Sequence, residues 1–254
     1  MKIGGKENKM TKRDDNKERA AAHIKEMNER YGAEIENSIK GSVIYGGSGK
    51  APQKSTEISS VETEVLNVDS TEAVLRYPNS ALLNFASYRH AGGGFVTGAW
   101  AQEEAICHDS TLYNVLCRFE SFYAENEHSL NRSLYTDRAI FSPNIVFERG
   151  GKTAKCGVIT CAAPNFGSAK NHGVTERENE DALARRIDFV ISIAEEQRCD
   201  TMILGAWGCG VFGQDPAVVA RLFKERLGKS GLKRVGFAIP GQNRNYTGFK
   251  NTFA

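Results

Sequence analysis

The sequence lacks a long apolar run, and it lacks an excess of charge of either sign. No apolar stretch reaches the roughly 18 residues that a membrane-spanning helix needs. The 33 lysines and arginines nearly balance the 31 aspartates and glutamates, with a net charge of +2, so nothing predicts a general nucleic-acid binder. The first residues, Met1–Glu7, lack the apolar core of a signal peptide. We therefore expect a cytoplasmic protein with no membrane partner.

Metal-binding and redox spacings are also missing. The six cysteines form no Cys-x-x-Cys pair, and neither they nor the five histidines show zinc-type spacing. We expect reduced, partly buried cysteines, no metal and no cofactor. A catalytic cysteine is an alternative only, because the adjacency of Cys107 and His108 in sequence does not make a nucleophile–base pair.

One lysine-containing glycine segment has the superficial look of a phosphate-binding loop. In Gly46–Lys50, however, the earlier glycine of the P-loop pattern is missing, and Ala51 stands where that pattern has Ser or Thr. The segment is predicted to be a flexible surface turn.

The sequence does contain a regular alternation of strand-like and helix-like segments. A helix is predicted from Lys12 to Tyr31, ended by Gly32, with a short helix near Glu34–Lys40. The pattern then predicts strands at Glu64–Val68, Ala81–Ala86, Ala139–Phe147, Cys156–Ala162, Thr201–Gly205 and Arg234–Ile239, and helices at Ser70–Arg76, Ala101–Phe119 (with a break near Asp109), Glu178–Arg198 and Pro216–Leu227. Such alternation predicts an α/β protein whose largely parallel sheet is covered by helices on both faces. We expect one domain at 61–254 after an N-terminal helical extension at 1–60, of which about the first ten residues are disordered.

The most informative pattern is the run of glycines 92–94 followed by Gln102, Glu103 and Glu104. Consecutive glycines let a backbone approach a bulky ligand and turn its N–H groups toward it. Neighbouring residues on a helix point about 100° apart, so the two glutamates do not flank one bond as the carboxylates of most glycosidases do. The pattern predicts divided roles on a phosphorylated sugar, one glutamate transferring protons and the other orienting the substrate. The alternative is a solvated helix start, where acids complement the helix dipole.

A second glycine cluster, Gly205–Gly213, follows the predicted strand that begins at Thr201. Asp215 and Pro216 then suit the N-cap and first turn of a helix. A strand, a glycine loop and a helix in this order present N–H groups to an anion. Neither glycine cluster contains a lysine, which argues against nucleoside triphosphate hydrolysis. Together the two loops predict a diphosphate held by main-chain donors, with structural turns as the alternative.

In sequence, these blocks resemble the bacterial and fungal type of poly(ADP-ribose) glycohydrolase, which carries its active site on a macrodomain fold. The resemblance rests on Leu83–Ser87, Gly92–Glu104, Ser110–Tyr113, Ile140–Pro143, Ala162–Asn165 and Gly205–Gly213, in that order. It implies a macrodomain-like, three-layer α/β/α domain with a mixed, largely parallel sheet. One departure is visible: the family usually has proline before the three glycines, where this chain has His90-Ala91. We expect Ala91 to leave the loop less rigid and His90 to come near the site.

The resemblance also implies residue roles. Glu104 would be the catalytic acid, and Glu103 would orient ribose hydroxyls. The implied substrate-binding residues are Asn84 and Phe212 at the terminal ribose, Gln102 beside the acids, Gly92, Gly93, Gly94, Gly208, Cys209, Gly210, Val211 and Phe212 around the diphosphate, and Asp69 at the adenine. A helix N-cap explains Asp69 equally well, and a plain core aromatic is the alternative for Phe212.

The implied reaction is hydrolysis of the ribose–ribose bonds of poly(ADP-ribose), which releases ADP-ribose. Glu104, held away from bulk water, would remain partly protonated, protonate the departing oxygen and then deprotonate the attacking water. One alternative keeps this chemistry on a mono-ADP-ribosylated side chain or base. The other is a non-catalytic ADP-ribose-binding macrodomain, which the intact Glu103 and Glu104 disfavour. The expected partner is therefore poly(ADP-ribose) or another ADP-ribosylated macromolecule.

Overall fold

A seven-stranded sheet forms the centre of the computed structural model, which describes residues 11–53 and 60–254. The strands are β1 Val43–Tyr45, β2 Glu62–Leu66, β3 Ala81–Phe85, β4 Ala139–Arg149, β5 Lys152–Cys161, β6 Thr201–Leu204 and β7 Arg234–Ala238. The helices are α1 Lys12–Gly41, α2 Ser70–Arg76, α3 Gln102–His108, α4 Leu112–Leu116, α5 Glu120–Glu127, α6 Phe166–Ala169, α7 Glu176–Glu196, α8 Pro216–Leu227 and α9 Arg244–Phe253, with 3₁₀ turns at Phe95–Thr97, Asn131–Ser133 and Lys170–His172. Within these ranges every helix is too short or too polar to cross a bilayer.

The sheet is mixed, in the order β1-β4-β5-β3-β6-β7-β2. The pairs β5–β3, β3–β6, β6–β7 and β7–β2 are parallel. The pairs β1–β4 and β4–β5 are antiparallel. Strands β3 and β6 lie side by side and parallel, so the loops that follow them leave the same edge of the sheet.

Two apolar cores cover the two faces of the sheet. On β3, Leu83 packs into the core under α7, α8 and α9, whereas its neighbour Leu82 packs into the core under α1 to α5. Successive side chains of a strand point to opposite faces, which explains this division. The result is a three-layer α/β/α arrangement, and the predicted fold class is confirmed.

The N-terminal helix is longer than predicted. α1 starts with a capping box between Thr11 and Asp14 and continues through Gly32 to Gly41, with non-helical dihedrals at Tyr31 (φ −127°, ψ 26°). The prediction that Gly32 ends the helix was therefore wrong, since the chain only kinks there. Ile35, beyond the kink, is buried in the same core as the first turns, and this packing favours continuation. The disorder expected for about the first ten residues lies outside the described residues.

Other differences lie where the sequence pattern is weak. Strand β1 and helices α5, α6 and α9 were not predicted, and β4 and β5 form a hairpin that turns at Gly150 and Gly151. The break predicted near Asp109 is confirmed, because α3 ends at His108 and α4 begins at Leu112. Gly46–Lys50 is a hydrogen-bonded turn rather than a free loop, and a Cβ on Gly46 would lie 1.8 Å from the carbonyl oxygen of Asp137.

Candidate active site

The acid pair lies in the first turn of α3, beside the carboxyl end of the central strand β3. Glu103 and Glu104 are only 3% and 7% exposed. Glu104 caps its own helix, since its Oε2 accepts the backbone N–H of Ala101 at 2.8 Å. Both carboxyl groups are thus held at the start of a helix, where the dipole favours negative charge.

Glu103 is bound on several sides by donors. Its Oε1 accepts from the side-chain amide of Asn84 at 3.0 Å, and its Oε2 accepts the N–H of Ser87 at 2.7 Å. Burial nevertheless raises the pKa of Glu103 to about 8, because desolvation outweighs these hydrogen bonds and the neighbouring Glu104 adds repulsion. Glu103 therefore retains a proton at neutral pH.

The first glycine loop folds directly onto the acid pair. Gly94 donates its N–H to Oε1 of Glu104 at 2.8 Å, and Gly93 donates to the carbonyl of His90 at 3.1 Å. Gly93 has a left-handed φ of +60°, and a Cβ there would lie 2.6 Å from Glu104 Oε1 and 2.8 Å from Glu103 Oε2. Glycine is therefore required here for close approach to the two carboxyl groups. From the sequence, these glycines were predicted to let the backbone approach a phosphate.

The second glycine loop leaves main-chain donors free. Among the described residues, the N–H groups of Gly208, Gly210, Val211 and Phe212 have no hydrogen-bond partner. Gly208 has a left-handed φ of +76°, and a Cβ there would lie 2.8 Å from the side chain of Gln214. A run of free N–H groups beside a left-handed glycine is a typical anion-binding arrangement.

Cys209 differs from its neighbours in this loop. It packs against the apolar core, and burial raises the pKa of its thiol to about 12. Burial likewise raises the pKa of the Cys107 thiol well above its ordinary value. Burial therefore disfavours the nucleophilic thiolate at both cysteines.

Two adjoining cavities lie along this edge of the sheet. The larger one, about 780 Å³, is lined by both glutamates, both glycine loops and the segment from Phe85 to Ala91. The smaller one, about 430 Å³, is lined by residues that include Asp69, Trp100, Asp109, Arg149, Asn243 and Asn245. Both cavities share Phe85, Ala101, Gln102 and Ala206, so they adjoin each other at these four residues.

Three predicted site residues have structural partners. Asn84 lines neither cavity: it is fully buried, and its side-chain amide donates to Glu103. Its predicted contact with the terminal ribose stays a prediction. Gln102 lines both cavities, but its amide is engaged by Phe85 N–H, Ser70 Oγ and the Leu83 carbonyl. Asp69 caps α2 through Glu72 N–H and lines the smaller cavity.

Several residues of the site were not predicted from the sequence. Arg149 binds both carboxylate oxygens of Asp69, at 2.8 and 2.7 Å, and also contacts Asp109. In the larger cavity, Tyr135 stacks on Tyr88 with ring centroids 4.2 Å apart. Tyr135 also meets Phe212 edge-on at 6.1 Å. His90 and Ala91, which stand at the departure from the family pattern, line the same cavity. In the described parts of the chain, no three Cys, His, Asp or Glu side chains are grouped as metal ligands would be.

Comparison with known proteins gives consistent results. The family model of the microbial-type PARG catalytic domain matches residues 16–150. The structure of poly(ADP-ribose) glycohydrolase (PARG) from Thermomonospora curvata aligns with a TM-score of 0.82 and 28% identity, over 95% of this chain and 100% of that one. PARG from Deinococcus radiodurans in complex with ADP-ribose aligns with a TM-score of 0.75 and 29% identity, over 86% of this chain and 96% of that one. No curated protein sequence matches the chain.

A macrodomain-like fold with a buried acid pair between two glycine loops is typical of glycosidases that act on ADP-ribose polymers. The family match covers more than half of the chain. The chain belongs to the family of microbial-type PARG catalytic domains.

Proposed function

We propose that this protein hydrolyses the ribose–ribose bonds of poly(ADP-ribose), releasing ADP-ribose, with Glu104 as general acid and base. One observation carries the proposal: a buried carboxyl pair and a loop of free N–H groups line the same 780 Å³ cavity. A cavity of this size is in the usual range for a small-molecule site.

The ligand class is supported by the structural neighbours. PARG from Thermomonospora curvata has been solved with the inhibitor ADP-HPD, at 28% identity to this chain and a TM-score of 0.81. The Deinococcus radiodurans enzyme has been solved with ADP-ribose. By analogy, ADP-ribose in this protein lies across the two adjoining cavities.

The two cavities suggest how the ligand is distributed. The diphosphate accepts from the free N–H groups of Gly208, Gly210, Val211 and Phe212, which need no lysine. The N–H groups of Gly93 and Gly94 are already used within the protein, so the first loop contributes mainly by holding the acid pair. The adenine occupies the smaller cavity, where Asp69 and Trp100 lie.

The terminal ribose lies against the acid pair. Glu103 orients its hydroxyl groups, and Phe212 packs against its apolar face, since both residues line the larger cavity. Asn84 contributes indirectly, by holding Glu103.

The acid pair is suited to cleavage of a glycosidic bond. Glu104 donates a proton to the departing ribose oxygen, and the resulting carboxylate then deprotonates the attacking water. The N–H groups of Gly94 and Ala101 hold Glu104 in place for both steps. The bound diphosphate stabilises the positive charge that develops on the ribose.

The test is digestion of poly(ADP-ribose) by wild type, Glu104→Gln and Glu103→Gln, with released ADP-ribose measured by chromatography. Glu104→Gln should lower kcat by the ~10²–10⁴ typical of lost general acid–base catalysis. Glu103→Gln should chiefly raise KM, because Glu103 orients the ribose. Near-full activity of Glu104→Gln would refute the assignment of the acid.

Two further outcomes concern the substrate. If wild type releases nothing from the polymer but cleaves a mono-ADP-ribosylated protein, the proposed substrate becomes the mono-ADP-ribosylated protein. Binding of ADP-ribose without any cleavage would make the protein a non-catalytic reader. The cytoplasmic location and the division at residue 60 stay predictions.

A further inference from the structure

One arginine lies among the residues that line the larger cavity. Among the described residues that line this cavity, Arg89 is the one arginine or lysine, and it shares the cavity with the two carboxyl groups of Glu103 and Glu104. Its side chain is exposed, and within the described ranges no carboxylate pairs with it. This guanidinium is therefore available to an external anion.

The backbone that carries Arg89 is held firmly. The N–H of Ser87 donates to Glu103, and the Ser87 hydroxyl accepts from the N–H groups of Arg89 at 3.3 Å and His90 at 3.2 Å. The side chain of Tyr88 is buried, with its hydroxyl 2.7 Å from Thr136 Oγ1. The turn under Arg89 is therefore fixed relative to the acid pair.

The substrate brings two diphosphates to this region. The diphosphate of the ADP-ribose unit being released meets the free N–H groups of the second glycine loop. The unit left behind carries its own diphosphate, a few covalent bonds from the oxygen that Glu104 protonates in the proposed reaction. An arginine is well suited to such a phosphate, because its planar fork donates two hydrogen bonds at once.

We propose that Arg89 binds a phosphate of the ADP-ribose unit on the leaving side of the scissile bond. This inference rests on the proposed function, since it requires a leaving group that carries phosphate. Arg89 then contributes specificity: it favours the polymer over substrates whose leaving group lacks a phosphate near the acid pair.

The test compares two substrates that differ only on the leaving side. One is poly(ADP-ribose), and the other is an aryl ADP-ribose in which a phenol without phosphate replaces the leaving unit. Wild type, Arg89→Ala and Arg89→Lys are assayed on both for kcat/KM, and the Kd of ADP-ribose is measured for each. Arg177→Ala, at a side chain that is 92% exposed and lines neither cavity, is the matched control.

Arg89→Ala should lower kcat/KM on the polymer about tenfold, the loss expected for one hydrogen-bonded charge contact. Its kcat/KM on the aryl substrate and its Kd for ADP-ribose should stay within about twofold of wild type. Arg89→Lys should retain part of the preference for the polymer over the aryl substrate, because lysine keeps the positive charge but lacks the planar guanidinium group. Higher salt should reduce the difference in kcat/KM on the polymer between wild type and Arg89→Ala, because salt screens the attraction between arginine and phosphate.

Equal losses on both substrates, or an unchanged rate on the polymer, would overturn the proposal for Arg89. The wild-type rates decide the proposed function separately. Wild type that cleaves neither substrate, or only the aryl one, overturns poly(ADP-ribose) hydrolysis, and the role of Arg89 falls with it.

Discussion

The side chain of Asn84 lies fully buried behind Glu103 and donates from Nδ2 to Oε1 at 3.0 Å, while its own Oδ1 has no partner among the described residues. An amide suits a carboxyl group whose pKa is raised to about 8. Its NH₂ donates to a carboxylate, and after half a turn its carbonyl accepts from a carboxylic acid. Asn84 can therefore hold Glu103 in either protonation state.

Replacement of Asn84 should weaken catalysis in a pH-dependent way. Asn84→Asp places a second carboxylate beside Glu103 and removes the donor, whereas Asn84→Leu removes all hydrogen bonding at similar size. Both should lower kcat/KM at neutral pH by about tenfold, the cost of losing one buried hydrogen bond. Asn84→Asp alone should recover on acidification, because a protonated aspartate can donate again. Parallel pH–rate profiles of the two variants would contradict this role.

The close approach of Gly93 to both carboxyl groups should make even alanine unacceptable. Gly93→Ala should lower kcat about 100-fold by displacing the acid pair. Gly150→Ala is the control, because Gly150 has nearly the same φ of +58° but nothing within 4 Å of a Cβ. Both variants should lose about 1–2 kcal/mol of unfolding free energy from backbone strain, measured by denaturant titration. Full activity of Gly93→Ala would show that the loop adapts.

The sequence predicted the site better than its inner contacts. The loops after β3 and β6 follow buried strands that are parallel neighbours, so their meeting at one edge follows from topology. The direction of Asn84 could not be predicted, since strand alternation places a side chain on a face but not in a cavity. The stacking of Tyr88 on Tyr135 joins residues far apart in sequence, and no local pattern encodes it. The boundary predicted near residue 60 adjoins 54–59, which lie outside the described residues.

The buried Glu103 should also make folding stability depend on pH. Its pKa is raised from 4.5 to about 8 in the folded protein, so its stabilising contribution is fully present below about pH 4.5. That contribution is lost as the pH rises through about 8, because the unfolded chain ionises freely while the folded one cannot. The loss should be on the order of a few kcal/mol.

Denaturant titrations from pH 5 to pH 9 would measure this effect as the difference between wild type and Glu103→Gln, since other titrating groups cancel. The unfolding free energy of wild type should fall relative to the variant as the pH rises. A constant difference across this range would mean that Glu103 is ionised in the folded protein at neutral pH.

The first turn of α1 should matter for catalysis although it lies outside the cavity. Asn16, which is buried, donates to the carbonyl of Gly98 at 3.3 Å, and the loop from Gly98 leads back to Gly94, whose N–H holds Glu104. Asn16→Ala should therefore lower kcat/KM about tenfold at temperatures well below its Tm, the loss expected for one buried hydrogen bond. Lys17→Ala is the control, because among the described residues Lys17 pairs only with Asp14, on the surface. This variant should leave both kcat/KM and the Kd of ADP-ribose unchanged. Because the two binding cavities are intact in Asn16→Ala, its Kd for ADP-ribose should match that of wild type. An unchanged kcat with a lower Tm would limit α1 to a purely structural role.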